Sequence, residues 1–217
     1  MALPASFCLP TRVRCWLPPT PRMCRPRERR AATVRAVVAL AAQQHPNTIT
    51  TQAIATHMGV TQGALFRHFP TKDAILEGVL GWIAEHLLER VDRAAAGAPD
   101  TGSALQAMFD SHIAFVAEHP GVPRLLFGEL QHPGPTPAKR VARALLERYG
   151  QRLQAQVVRG IDSGELDPTT SPAAAAALFI GTVQGLVMQA ALVGDPRHMQ
   201  AQAAGAFAIL RRGLEAK

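Results

Sequence analysis

The stretch from Ile49 to Asp73, ITTQAIATHMGVTQGALFRHFPTKD, constrains the fold of this chain more than any other. It parses as two short helices joined by one tight turn, followed by the start of a third. Thr50 is placed as an N-cap, and Ile54, Ala55 and Met58 follow at the spacing of a buried helical stripe. Gly59 stands where the helix must end in a left-handed residue, a conformation that glycine adopts at least cost. Val60 plugs the corner, and Thr61 caps a second short helix predicted to run to about His68.

The faces of that second helix differ in chemistry. At about 100° per residue, Leu65 and Phe69 share one side, while Gly63, Ala64 and Arg67 lie on the other, flanked by Phe66 and His68. A face meant only for water normally carries several long charged residues. Small residues let a backbone approach closely, and Arg67 offers a forked donor to a phosphate or a guanine edge. This is the layout of a helix-turn-helix whose second helix enters the major groove of DNA. Thr71 is placed to cap the third helix. Lys72 follows at its positive end, where a cation is disfavoured unless an anion such as phosphate comes close.

These residues resemble the DNA-binding signature of the tetracycline-repressor (TetR) family of bacterial regulators. The matching elements are Ile54-Ala55, Met58-Gly59-Val60-Thr61, Gly63, Leu65-Phe66, His68-Phe69 and Thr71-Lys72, within a segment from about Arg30 to Ile75. The resemblance implies a dimeric, all-helical, ligand-responsive repressor. Carried over position by position, it implies DNA contacts from Thr51, Thr61, Gln62, Gly63, Phe66, Arg67, His68 and Lys72. The chain departs from the family pattern at three places. Phe66 stands where tyrosine is common, Ala41 where phenylalanine often packs, and His45-Pro46-Asn47 replaces a glycine-aromatic turn.

Composition supports an all-α fold. Charged residues make up 18% of the 217, Ala and Leu are abundant, and no segment alternates with period two for long enough to argue a sheet. The net charge of +7 invites a nucleic-acid reading, but its distribution weakens it. Residues 1–30 hold seven Arg and one Glu, residues 31–75 add three basic groups and one acidic, and the remainder is close to neutral. The motif, not the overall charge, carries the argument.

Three segments follow from the pattern. Residues 1–26 contain six Pro and all three Cys, with no metal-ligand spacing and no uninterrupted apolar run to make a signal peptide, so they are expected to be a disordered tail. Two readings of the tail stay open: a basic arm on phosphate, or a misassigned start with Met23 as the true one. Residues 27–70 form the helix-turn-helix domain, braced by a first helix from Arg27 to about Gln44, in which Ala31, Val34, Val38 and Ala41 face inward; for Arg27, Arg29 and Arg30 two readings stay open, contact with the DNA backbone or solvation alone. Residues 71–217 form a helical effector-binding and dimerisation domain. Its first helix, from Thr71 to about Ala95, is shared between the two halves as a lever.

Further along, GAPDTG at 97–102 reads as a break, and Pro120 and Pro123 bracket a bend before a short apolar helix. A long helix spans about Ala138 to Asp162, with Leu145, Leu146, Tyr149, Leu153, Val157 and Ile161 on one stripe. Residues 173–193 are nearly all apolar. A membrane span is rejected there because Gln184 and Gln189 interrupt the run and no basic cluster flanks it. A helix apolar all round is instead expected to be buried on both sides. With the last helix, 196–214, which carries Met199, Ala203, Phe207, Ile209 and Leu210, it is expected to pair with its copies in a second subunit, and the resemblance implies a homodimer interface of four helices.

An effector cavity is expected among the helices of the second domain, with Phe109, His112, Ile113, Val116, Phe127, Phe179, Val183, Gln184 and Met188 as candidate wall residues. So little charge in that wall points to a small apolar or weakly polar ligand. No hydrolase, metalloprotease or phosphate-binding signature is present, so the chain reads as a non-enzyme without cofactor. His112 and His119 with Glu118 lack a third ligand, so no metal is expected. The expected activity is therefore that of a cytoplasmic, DNA-binding transcriptional regulator, a repressor released from a palindromic operator by its ligand. The alternative is an architectural protein on double-stranded DNA with no small-molecule effector.

Overall fold

The computed structural model describes residues 26–216; the tail, its cysteines and the choice between Met1 and Met23 lie outside the described residues. Within them the protein is helical throughout, apart from one isolated bridge between Leu166 and Glu215. The first unit contains α1 (Pro26–Gln43), α2 (Thr51–His57) and α3 (Gln62–Phe66). The second contains α4 (Lys72–Ala96), α5 (Thr101–Glu118), α6 (Gly121–Leu130), α7 (Pro137–Asp162), α8 (Pro172–Val193) and α9 (Pro196–Arg212).

Local chemistry sets most of the boundaries. The hydroxyls of Thr50, Thr61 and Thr71 accept from the backbone N–H groups of Ala53, Ala64 and Ala74 at 3.1, 3.2 and 3.0 Å, so all three expected N-caps form. Gly59 has φ +65°, and the N–H groups of Gly59 and Val60 donate to the carbonyls of Thr56 and Ala55. This is a Schellman closure, and it fixes the angle at which α3 leaves α2.

Several expectations shift. α3 ends at Phe66 rather than His68, because the Leu65 carbonyl receives both His68 and Phe69 in a closing turn and Pro70 disfavours helix at Phe69. α5 starts within the expected break, since the Asp100 carboxylate caps it through Ser103 N–H at 2.6 Å. Pro123 does not mark a bend. It lies in the first turn of α6, where its missing N–H breaks no helical bond.

One continuous core runs through both units. Val34, Val37 and Ala41 of α1 meet Ile54, Leu65 and Phe69, and continue through Ile75 and Val79 of α4 into the body. There Phe109 packs against Phe179 and Phe207, with ring centroids 5.4 and 5.2 Å apart. α4 packs on α1, α5 and α7, and α6 packs on both α1 and α7, so two helices join the units.

α8 is long and apolar enough by composition to cross a membrane, and a third of its most apolar stretch is buried in the protomer. Within the protomer one side packs on α5, α7 and α9, while Leu178, Met188, Leu192 and Val193 are exposed on the other. Ile209 of α9 is 66% exposed, and Leu146 of α7 is also exposed.

Candidate functional site

The outer surface of α3 is formed as its sequence suggests. Leu65 and Phe69 are buried, whereas Thr61, Gly63, Phe66 and Arg67 are exposed and Gln62 and His68 are half-buried. A Cβ on Gly63 would meet nothing within 4 Å, so the helix surface is flat at that point. Arg67 is the C-cap residue of α3 and lies one residue beyond the helix proper.

Thr51 and Gln62 are brought together. The Gln62 amide donates to the Thr51 hydroxyl at 2.5 Å, tying α2 to α3. Lys72 stands in the first position of α4, beside its Thr71 cap. The eight residues expected to touch DNA thus come from α2, α3 and the N-terminus of α4.

The Arg30 guanidinium is exposed, lies 5.4 Å from the Phe69 ring centroid and donates to the His68 carbonyl at 3.4 Å, so it braces the helix-turn-helix from α1.

The second feature is a cavity of about 570 Å³ in the body. His112, Val116, Phe127, Val183, Gln184 and Met188, six of the nine expected wall residues, line it. Phe109, Ile113 and Phe179 do not. They lie in the core, Phe109 fully enclosed by Phe179 and Phe207. The sequence reading missed Ile83 and Leu87 of α4, Val122, Pro123, Leu126 and Leu130 of α6, and Tyr149 of α7. Tyr149 was legible only as one step of an apolar stripe. The α6 residues looked like a proline-broken connection. Lys139 and Arg143 are the charged members of the wall, and Lys139 is held by the carbonyls of His132 and Gly134.

Two polar atoms in this wall have no partner. Nδ1 of His112 and the hydroxyl of Tyr149 are buried and unbonded, and their rings lie 5.4 Å apart. Burial alone holds the His112 imidazole down at about 4, so it is neutral at pH 7, and pushes the Tyr149 phenol far above its ordinary value.

The other candidate ligand cluster disperses. Glu118 forms a two-pronged pair with Arg90, 2.5 and 2.6 Å, and His119 packs against Trp82 and Phe115. Among the described residues no group of three or more His, Cys, Asp or Glu is placed to hold a metal.

The geometry is accompanied by similarity at both ends of the chain. Residues 31–79 match the family model described as bacterial regulatory proteins, tetR family. Residues 128–206 match a tetracyclin repressor-like C-terminal domain, and the two together take in more than half of the chain.

Among curated proteins, the nucleoid occlusion factor SlmA of Vibrio cholerae is 36% identical over 80 residues, which is 37% of this chain and 41% of that protein. The chain thus spans about two fifths of the length of that relative. Among solved structures, FadR of Bacillus subtilis in complex with stearoyl-CoA superposes with a TM-score of 0.76 at 18% identity, covering 84% of this chain and 98% of that one. The ketosteroid transcriptional regulator KstR2 of Mycobacterium tuberculosis gives 0.68 at 17% identity, covering 87% and 98%. At such identities the two structures speak to the fold. The family model and these structural relatives are described as regulators, not as enzymes. With the capped helix-turn-helix in one unit, the helical body in the other and a family match in each, this chain belongs to the tetR family of DNA-binding bacterial regulators.

Proposed function

We propose that the protein is a homodimeric, cytoplasmic repressor, released from a palindromic operator by a small, largely apolar ligand. The observation that carries this reading is the cavity of about 570 Å³, because its walls are shared with the helices that hold the DNA-binding unit. Ile83 and Leu87 place α4 in the wall, and the same helix carries Lys72 at its N-terminus. Val122, Pro123, Leu126 and Leu130 place α6 in the wall. That helix sits hard on α1: a Cβ on Gly121 would lie 2.1 Å from the Val38 carbonyl oxygen, and Arg124 donates to the Ala42 carbonyl at 2.8 Å.

In this scheme two copies of α3 enter successive major grooves about one helical turn apart. The second copy is held by the open faces of α8 and α9. A ligand that prefers the other arrangement of α4 and α6 draws the population off DNA, to an extent set by its difference in affinity for the two arrangements. FadR was solved in complex with stearoyl-CoA, whose acyl chain is hydrocarbon, and KstR2 is named a ketosteroid regulator, which supports a largely apolar occupant here.

A second reading rests on the similarity to a nucleoid occlusion factor: a DNA-binding protein of architectural role, without effector. Fluorescence anisotropy on the fragment upstream of the protein's own gene, with sedimentation in parallel, tests the main reading. Specific binding by a dimer that loosens when an apolar ligand fills the cavity is the expected result. Binding without sequence preference, unaffected by any cavity ligand, supports the second reading. A monomer with no affinity for the fragment overturns both.

A further inference from the structure

A cavity meant for pure hydrocarbon does not need polar atoms in its wall. Two residues of this wall, His112 and Tyr149, each carry a polar atom that is buried and unbonded, the Nδ1 and the hydroxyl, and their rings lie side by side on the packed helices α5 and α7. Tyr149 is 1% exposed, so bulk water does not reach its hydroxyl. An orphaned buried polar group carries its full desolvation cost, so native proteins keep few of them, and a pair in the wall of one cavity calls for a partner that completes it. The phenol donates and accepts, and a neutral imidazole offers one donor and one acceptor nitrogen.

We propose that the ligand carries one uncharged oxygen, a hydroxyl or a carbonyl, seated between Tyr149 and His112, with the rest of the molecule hydrocarbon against Leu87, Leu126, Phe127 and Val183. A carboxylate is disfavoured at that position. Two neutral groups in a low-dielectric wall cannot offset the loss of its hydration. The cations of the wall, Lys139 and Arg143, lie on the first turns of α7, away from Tyr149 in sequence, and Lys139 is already held by two carbonyls. This inference rests on the effector-cavity reading, and adds to it the polar group that the ligand must present.

The test is displacement of Prodan, an uncharged naphthyl ketone whose fluorescence reports an apolar pocket, from the full-length protein by dodecane, 1-dodecanol, 2-dodecanone and dodecanoate. The alcohol and ketone are expected to compete roughly three- to tenfold better than the hydrocarbon, the worth of one net hydrogen bond. The advantage is expected to vanish in Tyr149→Phe, which keeps the ring and its packing. That variant is also expected to melt at or above the wild-type temperature, since it removes an unbonded hydroxyl and no bond.

Equal competition by all four compounds overturns the inference and leaves the cavity reading standing. So does preference for dodecanoate that disappears in Arg143→Ala, which would place the polar group at the cation instead. A marked fall in the melting temperature of Tyr149→Phe shows that the hydroxyl is satisfied without a ligand, and overturns it as well. Failure of Prodan and every competitor to bind overturns the cavity reading itself.

Discussion

Arg67 is exposed and Lys72 half-buried, and both carry a positive charge, but they are expected to act differently on DNA. Arg67 stands at the end of α3, where its forked donor is expected to reach a base edge. Arg67→Ala is expected to weaken specific binding by about 1–3 kcal/mol and relax sequence preference. Lys72, at the positive end of α4, has phosphate as its natural partner. Lys72→Ala is expected to cost affinity evenly across sequences and lower the salt slope by about one. Titrations at several salt concentrations separate the two, and an unchanged affinity removes the residue from the interface.

His112 gives a pH prediction. Its native value of about 4 lies below the ~6.5 of an unfolded histidine, so between these values the unfolded chain binds more protons. The contribution is therefore complete above about pH 6.5 and is lost as pH falls toward 4, by up to about 3 kcal/mol. Urea denaturation across that range reads the slope. His112→Leu is expected to flatten it in part, the remainder coming from His119, which burial also lowers.

At the scale of elements, α6 carries the sharpest constraint. Gly121 allows it to lie against the backbone of α1, and Gly128 seats Pro46, whose ring would lie only 3.3 Å from a Cβ added there. Gly121→Ala would push its methyl into the Val38 carbonyl, so it is expected to destabilise the protein by about 1–3 kcal/mol in thermal unfolding. It is also expected to disturb DNA affinity without touching DNA. α8 and α9 carry the complementary prediction. Leu192 and Ile209 are 80% and 66% exposed on a face where Gly181, Gly185 and Gly205 leave open space for another helix. Ile209→Arg and Leu192→Arg are expected to shift sedimentation from dimer to monomer while leaving helix content unchanged. A dimer that survives both changes places the interface elsewhere.

Across the whole molecule, the parts written in neighbouring residues were legible, and those made by distant ones were not. The three threonine caps, the left-handed Gly59 and the two faces of α3 depend on residues within about one turn of each other, and sequence spacing alone determined them. The long apolar run of α8 likewise announced a helix in search of a partner. It did not announce which of its residues the protomer would leave open, because a stripe of Leu and Val reads the same toward a core or toward a second subunit. Tyr149 and Phe109 show the same ambiguity inside the body. Both sit on apolar stripes, yet one lines a cavity with an unbonded hydroxyl and the other is sealed between two rings. The contact of Arg30 with Phe69, 39 residues away in the chain, was not legible either. The sequence by itself determined the helices, their caps and the DNA-facing signature, since these follow from local hydrogen bonding and periodicity. Only the tertiary structure decided where the body is hollow and that α6, as well as α4, joins the hollow to the DNA-binding unit, since a void and a close approach exist only between segments far apart in the chain.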